Sequence, residues 1–129
     1  MATVLFIEPD KLLAQTYAKA CENAHIDMHH ESTAQTAVTY IDSNHPSIVV
    51  LELQLASHNG VEFLYELRSH SDWQDIPVLL HTLVPDTELQ LSDEVKTQLG
   101  IVGYLYKPQT SLERLLHEIQ KVLNKSKKS

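Results

Sequence analysis

Four apolar residues in a row, Ile48-Val49-Val50-Leu51, run straight into a carboxylate, Glu52. An unbroken apolar run of strand length has no solvent face, so it belongs in a sheet covered on both sides, and such sheets are parallel. Parallel strands need long crossovers, which bring helices to either face. In an open sheet of this kind, ligands bind outside the carboxyl ends of the strands, which is where Glu52 stands.

The rest of the chain supplies the matching alternation. Thr3 to Ile7 is a short apolar run, and the stretch from Asp10 to about Ala24 is helical, with Leu13, Tyr17, Ala20 and Ala24 on one face. Ile26 to Glu31 reads as a weaker strand; Ser32 then opens STAQ, a capping box, before Ala34, Ala37, Val38 and Ile41 at helical spacing. Past the Ile48 to Leu51 strand, Asn59 and Glu62 cap a helix with the apolar stripe Val61, Leu64 and Leu67. Ile76 to Thr82 is a fourth strand, bounded by turn residues around Asp75 and Pro85. Leu91, Val95 and Leu99 mark a fourth helix stopped by Gly100, and Val102 to Leu105 makes a fifth strand. Thr110 to Glu113 is a second capping box, opening a last helix with Leu112, Leu115, Leu116, Ile119 and Leu123 on its apolar face. The connection from Leu83 to Gln90 has no clear pattern and is expected to be the most mobile part.

With 129 residues and 43% apolar content, one domain is expected over residues 1–129, with a folded core at 3–124 and a basic tail at 125–129. The net charge of -7 comes from carboxylates spread along the chain and argues against a nucleic-acid partner. Lys121, Lys125, Lys127 and Lys128 form a basic cluster, and a helix end whose dipole they complement accounts for it more simply than a binding arm. The single cysteine, Cys21, reads as core packing, permits no internal disulfide and fits a reducing compartment. Neither a signal peptide nor a membrane-length apolar run is visible, so a cytoplasmic protein without a membrane partner is the expectation. Among the histidines, His29 and His30 alternate faces on a strand, and His25, His45, His58, His70, His81 and His117 lack ligand spacing, which argues against a zinc site.

The chemistry-bearing residues fall at strand ends. Glu8 and Asp10, Glu52, Thr82 and Lys107 follow or end the first, third, fourth and fifth strands, and the predicted sheet brings them to one crevice. Four segments in order, FIEPD, PSIVVLELQLASHNG, IPVLLHT and GYLYKP, resemble the receiver domain of bacterial response regulators over essentially the whole chain. The resemblance implies a flavodoxin-like, doubly wound (βα)5 α/β fold with a five-stranded parallel sheet in the order 2-1-3-4-5.

In that family an acidic pair on the first strand and an aspartate on the third hold a divalent cation while a phosphoryl group moves to the aspartate. The resemblance puts Glu52 at the phosphoacceptor position and Glu8 at the first acidic position. Pro9 matches the second acidic residue, the direct metal ligand, and brings no ligand atom. Asp10 follows, but one residue further along its side chain points elsewhere. Thr82 matches the hydroxyl that bonds the phosphoryl group, Lys107 the cation that pairs with it, and Tyr104 the aromatic that changes rotamer on activation. Ala56 stands where the family often has proline, Gln54 where a backbone carbonyl reaches the metal, and Lys107-Pro108 is implied to be a cis peptide. Purely structural readings stay open beside these: Pro9 as a helix starter, Asp10 as a first-turn residue, Thr82 and Tyr104 as ordinary strand residues.

Magnesium demands near-ideal octahedral oxygens at about 2.0–2.1 Å, so a pocket with one carboxylate lost and another lengthened is expected to hold no cofactor, and magnesium weakly at most. The extra methylene of Glu52 moves the attacking oxygen by more than about 1 Å, a misplacement that costs on the order of a hundredfold in rate. The longer carboxylate can instead reach Lys107 and stand in partly for a phosphorylated aspartate. The expectation is therefore a stand-alone, atypical receiver, not an enzyme, acting in two-component-type signalling through phosphorylation-independent protein contacts. Its partner, a histidine kinase or a separate output protein, would meet the face of the fourth helix, fifth strand and last helix. One alternative is a conventional phosphoacceptor served by a histidine kinase with magnesium. A second is a flavodoxin-like nucleotide- or flavin-binding protein, against which the lack of a glycine-rich loop after the first strand argues.

Overall fold

The computed structural model describes residues 2–55 and 59–128, with side chains as far as residue 125. Strands β1 (Thr3–Ile7), β2 (Asp27–Glu31), β3 (Ile48–Leu51), β4 (Val78–Thr82) and β5 (Ile101–Tyr106) form one parallel sheet in the order β2-β1-β3-β4-β5. This is the flavodoxin-like order that the resemblance implied, with β3 in the register Val4 to Ile48 through Ile7 to Leu51 against β1. Because the order reverses between β2 and β3, the loops after β1 and β3 diverge and leave a crevice at their carboxyl ends.

The helices are α1 (Lys11–Asn23), α2 (Ala34–Asn44), α3 (Gly60–Ser69), α4 (Asp86–Leu89), α5 (Asp93–Gln98) and α6 (Leu112–Lys128), with short 3-10 turns at Ser71–Trp73 and Lys107–Gln109. Strand alternation divides the core in two. Leu5, Ile7, Val49, Leu51, Val78 and Leu80 pack against α2, α3 and α5, while Val4, Phe6, Ile48, Val50 and Leu79 pack against α1 and α6. β3 is buried at every position, as its unbroken apolar run requires. Cys21 is fully buried in the second cluster. Among the described residues no helix is long and apolar enough to cross a membrane.

Several boundaries differ from the sequence expectation. The connection from Leu83 to Gln90 holds a short helix, α4, ended by Gln90 in a left-handed conformation (φ 52°), and the helix marked by Val95 is α5, which Ser92 starts by accepting the Val95 N–H at 3.1 Å. The Leu91, Val95, Leu99 spacing concealed that cap. Both capping boxes are displaced by one residue. Thr33 caps α2, because β2 stays paired through Glu31 and the turn consumes Ser32. At α6 the Arg114 N–H bonds Ser111 Oγ, while Thr110 donates to the Tyr106 carbonyl instead. β4 starts at Val78, since Pro77 has no N–H to give the ladder. α6 continues to Lys128, past the limit set at residue 124, because no glycine or proline interrupts it.

One side chain ties α3, α5 and the entry to β4 together. Arg68 Nε donates to the Leu99 carbonyl at 2.8 Å, Nη1 to that of Trp73 at 2.8 Å, and Nη2 to that of Ile76. These are carbonyls at chain turns that lack ladder partners, so a cation with five donors suits them. Gly100 (φ 73°) packs against the same guanidinium, and a Cβ there would lie 2.1 Å from Nη2.

Candidate functional site

Glu8 and Glu52 follow directly on β1 and β3, Thr82 closes β4 and Lys107 follows β5, so adjacent strands deliver all four side chains to the crevice. Glu8 is 3% exposed and Glu52 2%, and both carboxylates face Lys107. Its Nζ donates to Glu8 Oε1 at 2.6 Å and to Glu52 Oε1 at 2.7 Å. The second oxygen of Glu52 accepts from the Thr82 hydroxyl and from the Gln54 N–H at 3.1 Å. The Leu83 N–H reaches both oxygens, at 3.1 and 3.3 Å. Four donors thus take up the Glu52 carboxylate. Burial pushes its pKa up, but the bonds from Lys107, Thr82 and the Gln54 backbone, with the charge of Lys107, outweigh that and leave it below the ordinary value. Glu52 is a buried carboxylate that stays ionised.

Glu8 has its own backbone support. Its Oε2 accepts the Asp10 N–H at 3.1 Å, and His30 Nε2 donates from β2 to the Glu8 carbonyl at 2.7 Å. Asp10 does not join the crevice: its Oδ1 caps α1, accepting the N–H groups of Leu12 and Leu13 at 3.0 and 3.1 Å. Pro9 therefore precedes the cap and is not the first residue of the helix. Ala56 lies outside the described residues.

The peptide bond between Lys107 and Pro108 is trans, in contrast to the cis form that the resemblance implied. The chain turns instead through the Lys107–Gln109 3-10 turn, closed by the Thr110 N–H on the Lys107 carbonyl at 3.2 Å, and the long lysine side chain spans the remaining distance. Tyr104, on β5, packs against the core cluster of α2, α3 and α5. Its hydroxyl is buried and has no hydrogen-bond partner among the described residues. Burial, with the charge of Asp86 next, pushes that phenol up to about 12.

Two neighbours were not singled out from the sequence. His81 precedes Thr82 on β4 and points to the opposite face, where its ring meets Tyr17 of α1 edge-on at 5.4 Å. Burial, aided by the Lys107 charge, lowers the His81 pKa to about 4, so it is neutral. Tyr17 is raised by burial and then by the charges of Glu8, Glu52 and Asp10. The signal for His81 was a lone polar residue inside the apolar run VLLHT.

The donor set does not suit an octahedral divalent cation. Glu8 and Glu52 each give one oxygen to the ammonium of Lys107 and the other to backbone or hydroxyl donors, and Pro9 offers none. Among the described residues no group of three or more His, Cys, Asp or Glu side chains is placed to share a metal ion. What the arrangement does chemically is hold a carboxylate against a hydroxyl and an ammonium.

The fold agrees with that of known proteins. The response regulator receiver domain model matches residues 4–120. The chain is 32% identical over 130 residues to the transcriptional regulatory protein BasR of Escherichia coli (strain K12), covering 95% of this chain and 52% of that protein. It is 25% identical over 126 residues to the heme response regulator HssR of Staphylococcus saprophyticus, covering 97% and 53%. The chain spans about half the length of these relatives. Among solved structures, the receiver domain of a Luxo repressor protein from Vibrio parahaemolyticus superposes with a TM-score of 0.83 at 23% identity, over 98% of this chain and 92% of that one. Chemotaxis response regulator CheY4 of Vibrio cholerae does so at 0.81 and 21%, over 95% and 98%. The chain belongs to the response regulator receiver domain family, the receiver module of two-component signal transduction.

Proposed function

We propose that this chain is an atypical receiver that signals by protein contact, without phosphorylation of Glu52 and without a bound divalent cation. The observation that carries this reading is the Glu52 carboxylate itself, which holds the Thr82 hydroxyl with one oxygen and the Lys107 ammonium with the other. Those are the two groups that the family directs at a phosphoryl group. A carboxylate kept ionised and saturated by four donors is a poor nucleophile, because attack on phosphorus needs a free, aligned lone pair. Lys107 bridges both carboxylates and offsets part of their charge without a metal.

Output in this reading is binding and not catalysis, in a cytoplasmic setting. The partner, a histidine kinase or an output protein, meets the face of α4, α5, β5 and α6, where Tyr104 and Tyr106 lie; aromatic residues are favoured anchors. Treating the protein with acetyl phosphate and magnesium and recording intact mass tests the reading directly. No adduct is expected, and a stoichiometric phosphoryl adduct on Glu52 would overturn it in favour of a conventional phosphoacceptor. Titrating millimolar magnesium should leave the melting temperature unchanged, since only an ion that binds the folded state raises it. A rise of several degrees, lost in Glu52→Gln, would restore the cation to the mechanism. With a partner in hand, Glu52→Ala and Tyr104→Ala should each weaken binding roughly five- to hundredfold, the range set by ordinary coupling energies.

A further inference from the structure

The charge of this chain is unevenly placed. Residues 60–98 carry eight carboxylates against only Arg68 and Lys96, so they hold -6 of the formal -7. Neither cation pairs with a carboxylate lining the cleft described below. Arg68 is spent on three backbone carbonyls, and Lys96 is paired with Asp86 at 2.9 Å. Within this acidic stretch lies an open cleft of about 790 Å³ between the start of α3 and α4, lined by Leu53, Val84, Leu89 and Leu91. Glu62 and Glu88 stand beside it, exposed, and neither has a cationic partner among the described residues.

We propose that this cleft docks a segment of a partner protein in which an apolar side chain is flanked by lysine or arginine. The apolar lining gains by covering an aliphatic or aromatic side chain, and the two free carboxylates favour cations on either side of that anchor. Charge argues against other occupants. A second copy presenting the same face would bring like charge onto like, and nucleic acid is repelled for the same reason. The lysines and arginine of α1 and α6 lie on the opposite side of the sheet.

The cleft is built from residues 53–55, the start of α3, α4 and the loop after β4; it shares α4 with the Tyr104 face but opens toward α3, and its test does not depend on how Glu52 responds to phosphodonors. It still touches the crevice. The N–H groups of Leu53 and Val84 both donate to the Thr82 hydroxyl, at 3.3 and 3.1 Å, so whatever fills the cleft rests on the backbone that holds Thr82.

Selection from a random-peptide display library on the full chain, with counter-selection on the Glu62→Lys/Glu88→Lys double variant, tests the proposal. Enriched peptides are expected to place leucine, isoleucine or phenylalanine beside lysine or arginine. They should shift the amide resonances of Leu53, Val61, Val84 and Leu91, and lose about tenfold or more in affinity to the double variant, as opposed charges across an interface do when one sign is reversed. The proposal fails if nothing is enriched, or if enriched peptides are acidic. It also fails if they bind both proteins equally or shift resonances elsewhere. Sedimentation of the chain alone covers the remaining occupant: a dimer abolished by the same double variant would assign the cleft to a second copy.

Discussion

Two partly buried cations hold opposite ends of this molecule, and they are satisfied differently. Lys107, at the carboxyl ends of the strands, is neutralised by two carboxylates that are themselves buried. Arg68, at the other end, meets three carbonyl oxygens, and its pKa is lowered by burial, with the charge of Asp75 opposing. The first arrangement exchanges formal charge and depends on protonation. The second satisfies dipoles and does not. Ionic groups are concentrated where the family does its chemistry, and neutral acceptors where the fold only has to be closed.

The largest effect should come from Lys107→Met, which leaves two buried carboxylates without their shared cation and costs about 3–5 kcal/mol in urea unfolding. A loss below about 1 kcal/mol would mean that the crevice is effectively solvated and the contrast with Arg68 void. Next, Arg68→Ala takes the guanidinium from three carbonyls, of which that of Trp73 keeps the Ile76 N–H, and should cost about 2–4 kcal/mol, with no rescue by Arg68→Lys, because one ammonium cannot span the fork. Full rescue by lysine would show that charge, and not geometry, matters there.

Acid should separate the two ends further. His81 is lowered from 6.5 to about 4 on folding, so the unfolded chain takes up a proton first, and stability is complete above pH 6.5 and declines as pH falls toward 4. The decline is on the order of 3 kcal/mol, and His81→Phe should flatten it. Glu52, also lowered, contributes stability that is present above its unfolded value of 4.5 and is lost as pH drops through the folded one, which extends the decline to lower pH. The increment for Arg68→Ala should vary much less across this range, because its one charged neighbour, Asp75, is exposed; a steep slope would tie the arginine to a buried titrating group. The smallest change is expected from Gly100→Ala, at about 1–2 kcal/mol, since the added Cβ meets Nη2 and the left-handed backbone disfavours alanine.

The fold was legible because its signals are local and repeated. Runs such as VLFI and IVVL have no alternative to a sheet covered twice, and the separation of Glu52, Thr82 and Lys107 along the chain follows from the strand and helix lengths. Where competing local signals overlap, as with Ser32 and Thr33 or Leu91 and Ser92, only the structure chooses the boundary. Tyr104 and Lys107 were found through resemblance to a known pattern. Arg68 and His30 were not, because their partners are backbone carbonyls distant in sequence, and no side-chain pattern encodes a carbonyl. The trans Lys107-Pro108 bond shows the cost of carrying a family property whole onto one chain.

An acyl phosphate is a bond with a lifetime, and a receiver that carries one is reset each time water breaks it. The Glu52 carboxylate, taken up by Thr82, Gln54, Leu83 and Lys107, has no such bond to lose. On the proposed reading its state does not decay, and the duration of the signal passes from hydrolysis chemistry to the synthesis and turnover of the polypeptide.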